Sequence, residues 1–301
     1  MDCFLGIDIG GTNVKFGLVN DNGELLEKTK VKTSQMKEGG FMRNFIVKLR
    51  QQLETFPKIK KVGIGIPGTI NKERTATFEL TNLSELNNLS IIEQLNVAFP
   101  TITFYMENDA NVAAIGEYYF GAKKLPKDYI FITLGTGIGG AAVINRRIFK
   151  GGNGNSMEIG HIIAGNGKTV EQNIGKAGII AATEKALKNY KGDSILSSYK
   201  KLDAKKIVEA AQQGDTLALD IFKMVGTGLG ECLVSNIRVL DIQTIVIGGG
   251  LAKAFPYIKK AMYIKIEEFL TPYYLKELDI RLATLANDAG IIGAASLCLD
   301  D

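Results

Sequence analysis

The chain has 301 residues, a length that allows about two domains of roughly 150 residues each. Its formal net charge of +4 comes from 36 Lys and Arg against 32 Asp and Glu, an excess too small to favour nucleic acid or a membrane surface as a partner. No apolar run approaches the ~20 residues of a membrane span, and no signal peptide precedes the first strand, so we expect a cytoplasmic protein. The three cysteines lie far apart, which indicates reduced core residues and not a disulfide or zinc framework.

The opening segment alternates apolar runs with turns and predicts a three-stranded antiparallel meander over residues 4–9, 14–19 and 24–31. In its first turn and the flanking strand ends, two glycines stand among polar residues: Asp8, Gly10, Gly11, Thr12, Asn13 and Lys15. Backbone N–H groups of such a turn can cradle a phosphate, and Lys15 can add charge. Asp8 could hold hydrated Mg²⁺, which prefers a few carboxylates and many waters. An ordinary glycine hairpin is the alternative that this stretch alone leaves open.

The next predicted elements are a helix, a buried strand and a second helix. Apolar spacing predicts an amphipathic helix over residues 41–53. Residues 62–66 are typical of a buried strand, which a Pro-Gly turn ends at Gly68. Ser90 and Glu93 form the pattern of a capping box and predict the start of the second helix.

A strand-to-helix junction stands at the centre of this part of the chain. Residues 101–105 predict a strand, and the apolar residues that follow recur at helical spacing. Asn108 occupies the position of a helix N-cap, and Asp109 lies in the first turn. A carboxylate at such a junction points out of the end of an α/β sheet, where ligands bind. Taken alone, the stretch is equally consistent with two residues that only cap the helix.

The second half of the chain repeats the arrangement of strand, Gly/Thr turn and strand. Residues 129–134 and 141–144 predict the strands, and residues 135–140 form the glycine-rich turn between them. Two such turns in separate halves of one chain indicate two related domains that face a shared phosphate.

Later segments carry one polar motif and one glycine motif. His161 is the only histidine of the chain and lies three residues from Glu158 among glycines, which favours a polar pocket at least as much as a structural role. Residues 244–247 predict a buried strand, and three glycines lead from it into a helix, an arrangement that suits a nucleotide. The other predicted elements are helices over residues 178–187, 204–212, 216–240 and 288–299 and a strand over residues 280–284.

Five ordered motifs span most of the chain. They are Asp-Ile-Gly-Gly-Thr-Asn at 8–13, Glu-Asn-Asp-Ala-Asn at 107–111, Leu-Gly-Thr-Gly-Ile-Gly-Gly at 134–140, Glu-Ile-Gly-His at 158–161 and Ile-Gly-Gly-Gly-Leu at 247–251. Together they resemble the ROK family of sugar kinases, in the actin/hexokinase/Hsp70-like superfamily. The resemblance implies an α/β fold of two actin-like (ribonuclease H-like) domains, each a mixed sheet flanked by helices.

The resemblance also implies how the chain is divided. A small N-terminal domain would cover residues 1–118, and residues 288–301 would return to it. A large C-terminal domain would cover residues 119–287. ATP and sugar would meet in the cleft between the two domains, and we expect a homodimer.

The resemblance further implies a role for each residue that matches a family motif. Asp109 matches the general base. The residues matched to sugar binding are Gly68, Asn82, Asn108, Asp109, Glu158, His161 and Glu171. The residues matched to ATP are those of the first turn described above, together with Gly135, Thr136, Gly137, Gly248, Gly249 and Gly250. Mg²⁺ would contact Asp8 through water.

One feature departs from the family pattern. Most members follow the Glu-x-Gly-His motif with a cysteine cluster that binds zinc, whereas residues 162–175 contain no cysteine here. Structural zinc needs about four ligands, mostly cysteine and histidine. We therefore expect ATP and Mg²⁺ as cofactors and no structural zinc.

The function expected from these residues is an ATP-dependent, glucokinase-like hexose kinase that phosphorylates the 6-hydroxyl group of glucose. A kinase for an N-acetylated hexosamine or another hexose is one alternative. A sugar-sensing regulator without its DNA-binding domain is a second. A chaperone-type ATPase of the same superfamily is a third, although the chain shows no peptide-binding domain.

Overall fold

The computed structural model describes residues 2–80 and 83–299. The strands are β1 (Cys3–Ile9), β2 (Asn13–Asn20), β3 (Leu25–Lys32), β4 (Lys61–Ile66), β5 (Thr69–Ile70), β6 (Thr77–Glu79), β7 (Thr103–Asn108), β8 (Tyr129–Leu134), β9 (Ile138–Ile144), β10 (Arg147–Ile148), β11 (Thr244–Gly248) and β12 (Asp279–Leu282). The helices are α1 (Thr33–Lys37), α2 (Phe41–Thr55), α3 (Ile91–Ala98), α4 (Asp109–Phe120), α5 (Val170–Ile174), α6 (Lys176–Leu187), α7 (Ala204–Gln212), α8 (Thr216–Leu240), α9 (Phe255–Phe269), α10 (Pro272–Lys276) and α11 (Ala289–Ser296). No helix in this part of the chain is both long and apolar enough to cross a bilayer.

The first five-stranded sheet has the order β3-β2-β1-β4-β7. β1, β2 and β3 pair antiparallel, which confirms the predicted meander, and β4 pairs in parallel with both β1 and β7. Its strands contribute fully buried side chains such as Ile7, Phe16 and Ile64, and Phe16 stacks on Phe45 of α2. Burial of each such side chain contributes about 1.5–3 kcal/mol. This core fixes the strand ends that carry Asp8 and Asn108.

The last helix, α11, packs against β1, β4 and α4. Gly6 of β1 and Gly63 of β4 are neighbours in the parallel register. A Cβ at Gly6 would overlap the carbonyl oxygen of Ile291, and one at Gly63 would overlap that of Ala294. The helix backbone therefore lies directly on the strand backbones, which is possible because these two positions carry no side chain.

The second five-stranded sheet has the order β10-β9-β8-β11-β12. β11 pairs in parallel with β8 and β12, whereas β10 pairs antiparallel with β9. α8 packs against α9, and Gly226 of α8 lies against the backbone of Ile258. Two mixed sheets flanked by helices confirm the predicted fold class.

The chain divides into two compact units. The N-terminal unit consists of Met1–Leu125, Ala141–Ser156 and Thr284–Asp301, and the C-terminal unit consists of Pro126–Gly140 and Met157–Ala283. The domain limits implied by the family resemblance, with a boundary after residue 118, remain a prediction.

Two local predictions need correction. Ser90 precedes α3 but makes no side-chain capping hydrogen bond, so the predicted capping box does not form there. The strand predicted over residues 101–105 starts later and runs on to Asn108. Glu107 is consequently a buried strand residue next to the helix cap.

Candidate active site

Asn108 and Asp109 lie where β7 ends and α4 begins. Asn108 Oδ1 accepts hydrogen bonds from Ala110 N at 2.9 Å and Asn111 N at 3.4 Å, which confirms the predicted N-cap. Asp109 Oδ1 accepts another from Ala110 N at 2.9 Å. The Asp109 carboxylate therefore belongs to the first turn of α4.

Gly68 brings its carbonyl group to the same junction. Gly68 O accepts a hydrogen bond from Asn108 Nδ2 at 3.3 Å, and its φ of +83° is a backbone conformation that favours glycine. Ile70, two residues after Gly68, is bound by the Asn155 side chain. Asn155 Oδ1 accepts a hydrogen bond from Ile70 N at 3.1 Å, and Asn155 Nδ2 donates one to Ile70 O at 2.8 Å. The N-terminal unit thus brings together Gly68, Asn108 and Asp109. It also holds the glycine-rich loop 151–156 against the segment that contains Gly68 and Ile70.

The first glycine turn links β1 to β2. Gly10 N donates to Asn13 O at 3.0 Å, and Gly10 O accepts from Thr33 Oγ1 at 2.6 Å. Gly11 and Thr12, at the tip, are exposed. A tip of this kind can offer its N–H groups to a phosphate.

Asp8 and Lys15 form an ion pair beside this turn. Lys15 Nζ lies 2.7 Å from Asp8 Oδ2, and it also donates to Asn287 O at 3.4 Å. The Asp8 side chain is 17% exposed. Mg²⁺ usually keeps several waters and takes only one or two carboxylates plus substrate phosphates. One carboxylate at the edge of a glycine turn fits a contact through water, although it does not form a cage of protein ligands.

The second glycine turn, in the C-terminal unit, lies against Glu171. Gly135 N donates to Gly137 O at 2.9 Å, and Thr136 between them is exposed. Glu171 Oε2 accepts a hydrogen bond from Ile138 N at 2.8 Å, just past the turn. Glu171, predicted as a sugar ligand, is therefore also the side chain that holds this turn.

Glu158 and His161 form a loose, solvent-accessible pair in the C-terminal unit. His161 Nε2 lies 4.0 Å from Glu158 Oε2, and the two side chains are 67% and 42% exposed, respectively. Partial burial raises the pKa of the Glu158 carboxyl group above its ordinary value; His161 opposes this shift, and Glu171 reinforces it. The unit thus gathers two carboxyl groups and one imidazole, a set that can bind several hydroxyl groups.

The glycine run after β11 precedes a short helical turn. Gly248 ends the strand, while Gly249 and Gly250 are exposed. The residues from Gly250 to Ala254 form a 3₁₀ turn before α9 begins. The strand and the helix of the predicted motif are both present. Because these exposed glycines carry no side chain, a ligand can approach their backbone closely.

The segment that replaces the family's cysteine cluster is ordered by its own hydrogen bonds. Thr169 and Gln172 form a reciprocal capping box at the start of α5. Asn166 and Asn173 exchange two side-chain hydrogen bonds, of 2.8 and 3.1 Å. Across residues 2–80 and 83–299, no group of three or more His, Cys, Asp or Glu side chains is arranged to hold a metal ion.

The sequence motifs contain the proposed site residues but not the side chains that support them. Asn82, one predicted sugar ligand, lies outside the described residues. Arg74 and Lys150 belong to none of the five motifs, yet both pair with Glu107, which directly precedes Asn108. A glutamate inside an otherwise apolar strand is the signal that could have pointed to a buried ion pair.

Comparison with known proteins agrees with this arrangement. The sequence signature of the ROK family matches residues 4–301. A glucokinase from Halalkalibacterium halodurans is 31% identical over 98% of this chain and 94% of its own length. An N-acetylmannosamine kinase from Escherichia coli is 28% identical over 96% of both chains.

A solved structure extends the similarity to the fold. The ROK family glucokinase from Streptomyces griseus, crystallised with glucose and AMPPNP, superposes with a TM-score of 0.82 at 28% identity. The match covers 98% of this chain and 99% of that one. Because the family signature spans nearly the whole sequence and the relatives match over their full length, this chain belongs to the ROK family, among its glucokinase-like sugar kinases.

Proposed function

We propose that this kinase transfers the γ-phosphoryl group of ATP to the 6-hydroxyl group of glucose, with Asp109 as general base. The observation that carries the proposal is the Asp109 carboxylate in the first turn of α4, next to the Asn108 cap and Gly68. A general base needs an ionised group within hydrogen-bond reach of the proton that it removes. Glu158, His161 and Glu171 would bind sugar hydroxyl groups, as would Asn82 and Asn108.

The glycine turns would serve the phosphates. Phosphoryl transfer needs positioning and neutralisation of charge more than covalent help. The exposed tips at Gly11 and Thr136 can donate backbone N–H groups to the phosphate oxygens, and Lys15 adds a positive charge. Mg²⁺, when bound beside Asp8 through water, supplies further neutralisation. The glycines at 248–250 would take the adenosine.

The same residues also fit a kinase for an N-acetylated hexosamine. Full-length relatives include a kinase for N-acetylmannosamine at an identity close to that of the glucokinases. A hydroxyl-binding set such as Glu158 and His161 does not distinguish glucose from an N-acetylated hexosamine. A sugar-sensing regulator is disfavoured because the Asp109 carboxylate that catalysis needs is retained.

A coupled ADP-release assay with and without glucose, mannose, N-acetylglucosamine and N-acetylmannosamine tests the proposal. We expect ADP release to depend on the hexose and to have the highest kcat/KM with glucose. ATP turnover that ignores sugar would indicate an ATPase, and sugar binding without ADP release would indicate a regulator. A preference for an N-acetylated sugar would replace glucose as the substrate and leave the kinase chemistry in place.

The Glu158→Ala and His161→Ala variants are expected to bind sugar more weakly and ATP almost normally. Loss of one hydrogen-bond partner of a buried hydroxyl group costs about 1–3 kcal/mol, which is a factor of roughly 5 to 150 in Kd. Calorimetric titration with the best hexose of the panel, and separately with an ATP analogue, measures both affinities. Lys205→Ala, on an exposed ion pair of α7, serves as control. Unchanged sugar affinity in both variants would show that the pair is structural.

We also propose that the protein needs no structural zinc. The hydrogen bonds of Thr169, Gln172, Asn166 and Asn173 support a segment ordered without structural zinc. A homodimer and a cytoplasmic location, both expected from the sequence, also remain proposals.

A further inference from the structure

A buried carboxylate lies one residue before the Asn108 cap. The Glu107 side chain is 4% exposed. Its Oε2 lies 3.0 Å from Arg74 Nε and 3.6 Å from Lys150 Nζ. Its Oε1 accepts hydrogen bonds from the Asn108 backbone N at 2.9 Å and from Asn111 Nδ2 at 3.1 Å. One carboxylate thus joins two cations to the last residue of β7 and the first turn of α4.

Arg74 is held in place by the backbone around it. It lies in a tight turn in which its own N donates to Asn71 O at 3.1 Å, and its φ is +61°, an uncommon conformation for a residue with a side chain. Its Nη1 donates to Asn71 O at 3.3 Å. The side chain is 10% exposed, and Nη2 is buried without an acceptor within the described residues.

Glu107 and its two cationic partners connect three segments of the N-terminal unit, two of which carry proposed sugar-binding residues. The turn at Arg74 follows the segment of Gly68, whose carbonyl oxygen binds the Asn108 side chain. Lys150 precedes the glycine-rich loop whose Asn155 is fixed on Ile70. Breaking the pair would therefore remove one of the contacts that join these three segments.

We propose that Glu107 and Arg74 form a positioning pair for the kinase reaction. Glu107 fixes the Asn108 backbone and the first turn of α4, and thereby the direction of the Asp109 carboxylate. Arg74 fixes Glu107. Neither residue is proposed to touch the substrate. This role rests on the proposed function, because it concerns the residue that removes the proton from the sugar.

The Glu107–Arg74 pair would affect the reaction by positioning Asp109 and would take no part in proton transfer. A displacement of about 1 Å at a reacting group can cost on the order of 100-fold in rate. Glu107→Gln would leave the buried Arg74 guanidinium without its counter-charge, and Arg74→Met would leave Glu107 with only the partly exposed Lys150. We expect a displacement of the residue 107 side chain in either case. Because Oε1 accepts from the Asn108 N–H, that displacement reaches the cap and the residue after it directly.

The test uses Glu107→Gln, Arg74→Met and the double variant in the full-length protein. Glu107→Gln keeps the shape of the side chain and an acceptor for Asn108 N, while it loses the charge that pairs with Arg74. We expect each single variant to lose on the order of 10- to 100-fold in kcat/KM for the hexose, with KM for ATP within about twofold of wild type. The double variant should lose little more than either single one, because residues of one buried network are not additive.

The controls separate positioning from folding. Glu85→Gln breaks an exposed ion pair with Lys37, 3.1 Å apart in the same unit, and should leave both kinetic constants unchanged. Kinetics are normalised to the folded fraction, measured by circular dichroism, because a merely structural pair would lower kcat in proportion to unfolded protein and leave both KM values unchanged. Arg74→Lys keeps the charge but not the planar guanidinium, so we expect its hexose kcat/KM to lie between those of Arg74→Met and wild type. It replaces Arg74→Met in the comparison if that variant does not fold.

Two results would overturn the proposal. One is a hexose kcat/KM within threefold of wild type in folded Glu107→Gln, which has lost the charge that pairs with Arg74. The other is strict additivity of the two single variants. A wild-type enzyme that phosphorylates none of the four hexoses would instead refute the proposed function, and the positioning role with it.

Discussion

Replacement of Asp109 by Asn is expected to lower kcat by roughly 10²- to 10⁴-fold, the range for loss of a general base. The amide keeps the shape of the side chain and an oxygen that can accept from Ala110 N, so α4 should still begin at this residue. The loss of a negative charge from the first helical turn costs only about 0.3–1 kcal/mol. Sugar affinity, measured by calorimetry, should therefore change little while turnover almost stops.

The comparison needs a matched carboxylate that lies away from the proposed chemistry. Asp21, exposed in the turn after β2, offers one, and Asp21→Asn should keep wild-type kcat. Rapid-quench measurement of the first turnover places the defect in the chemical step. An Asp109→Asn enzyme that retains more than about a tenth of wild-type kcat would assign the proton transfer to another group.

The elements that the sequence predicted well are those in which a local pattern and the burial pattern agree. The meander of β1 to β3 was predicted from apolar runs that alternate with turns. The predicted helix over residues 216–240 has the same bounds as α8. Asn108 was predicted as a cap from its own residue type, and its Oδ1 is the acceptor. In each case the interactions that fix the element lie within a few residues of one another.

Capping shows where local patterns are insufficient. Both Ser90-Ile-Ile-Glu93 and Thr169-Val-Glu-Gln172 fit the capping-box pattern, yet only the second forms it. Thr169 has the extended backbone of a cap, with ψ of 160°, whereas Ser90 has ψ of 80°. The backbone just before Ser90 is bound elsewhere, because Leu89 O accepts from Thr77 N at 3.0 Å. That contact joins residues twelve positions apart, which the four-residue pattern does not contain.

The supports of the candidate site were missed for the same reason. Glu107 pairs with Arg74, which is 33 residues away, and with Lys150 on a later segment. Glu171 was matched to sugar binding by its place after His161, and its bond to Ile138 N depends on the fold of the C-terminal unit. Motifs predicted the residues that we propose to bind ligands, whereas the side chains that pair with them from distant segments became visible only in three dimensions.

Gly63→Ala is expected to destabilise the N-terminal unit by about 3 kcal/mol, near the upper end of the range for overpacking. The added methyl group would overlap the carbonyl oxygen of Ala294, and it would lie about 3.4 Å from Ala295 N. Backbone atoms inside a helix cannot rotate away as a side chain can, so α11 must move as a whole. The better strand propensity of alanine, worth at most about 1 kcal/mol, does not offset this.

The expected readout is a fall in Tm of roughly 6–12 °C, because each kcal/mol shifts Tm by about 2–4 °C in a unit of this size. Hydrogen exchange should accelerate at the amides of α11 and at its contacts on β1 and β4, while α8 keeps its protection. Gly152→Ala is the matched control, since a methyl group there meets no atom within 4 Å. Equal Tm values for the two variants would mean that α11 does not rest on the bare backbone of β4.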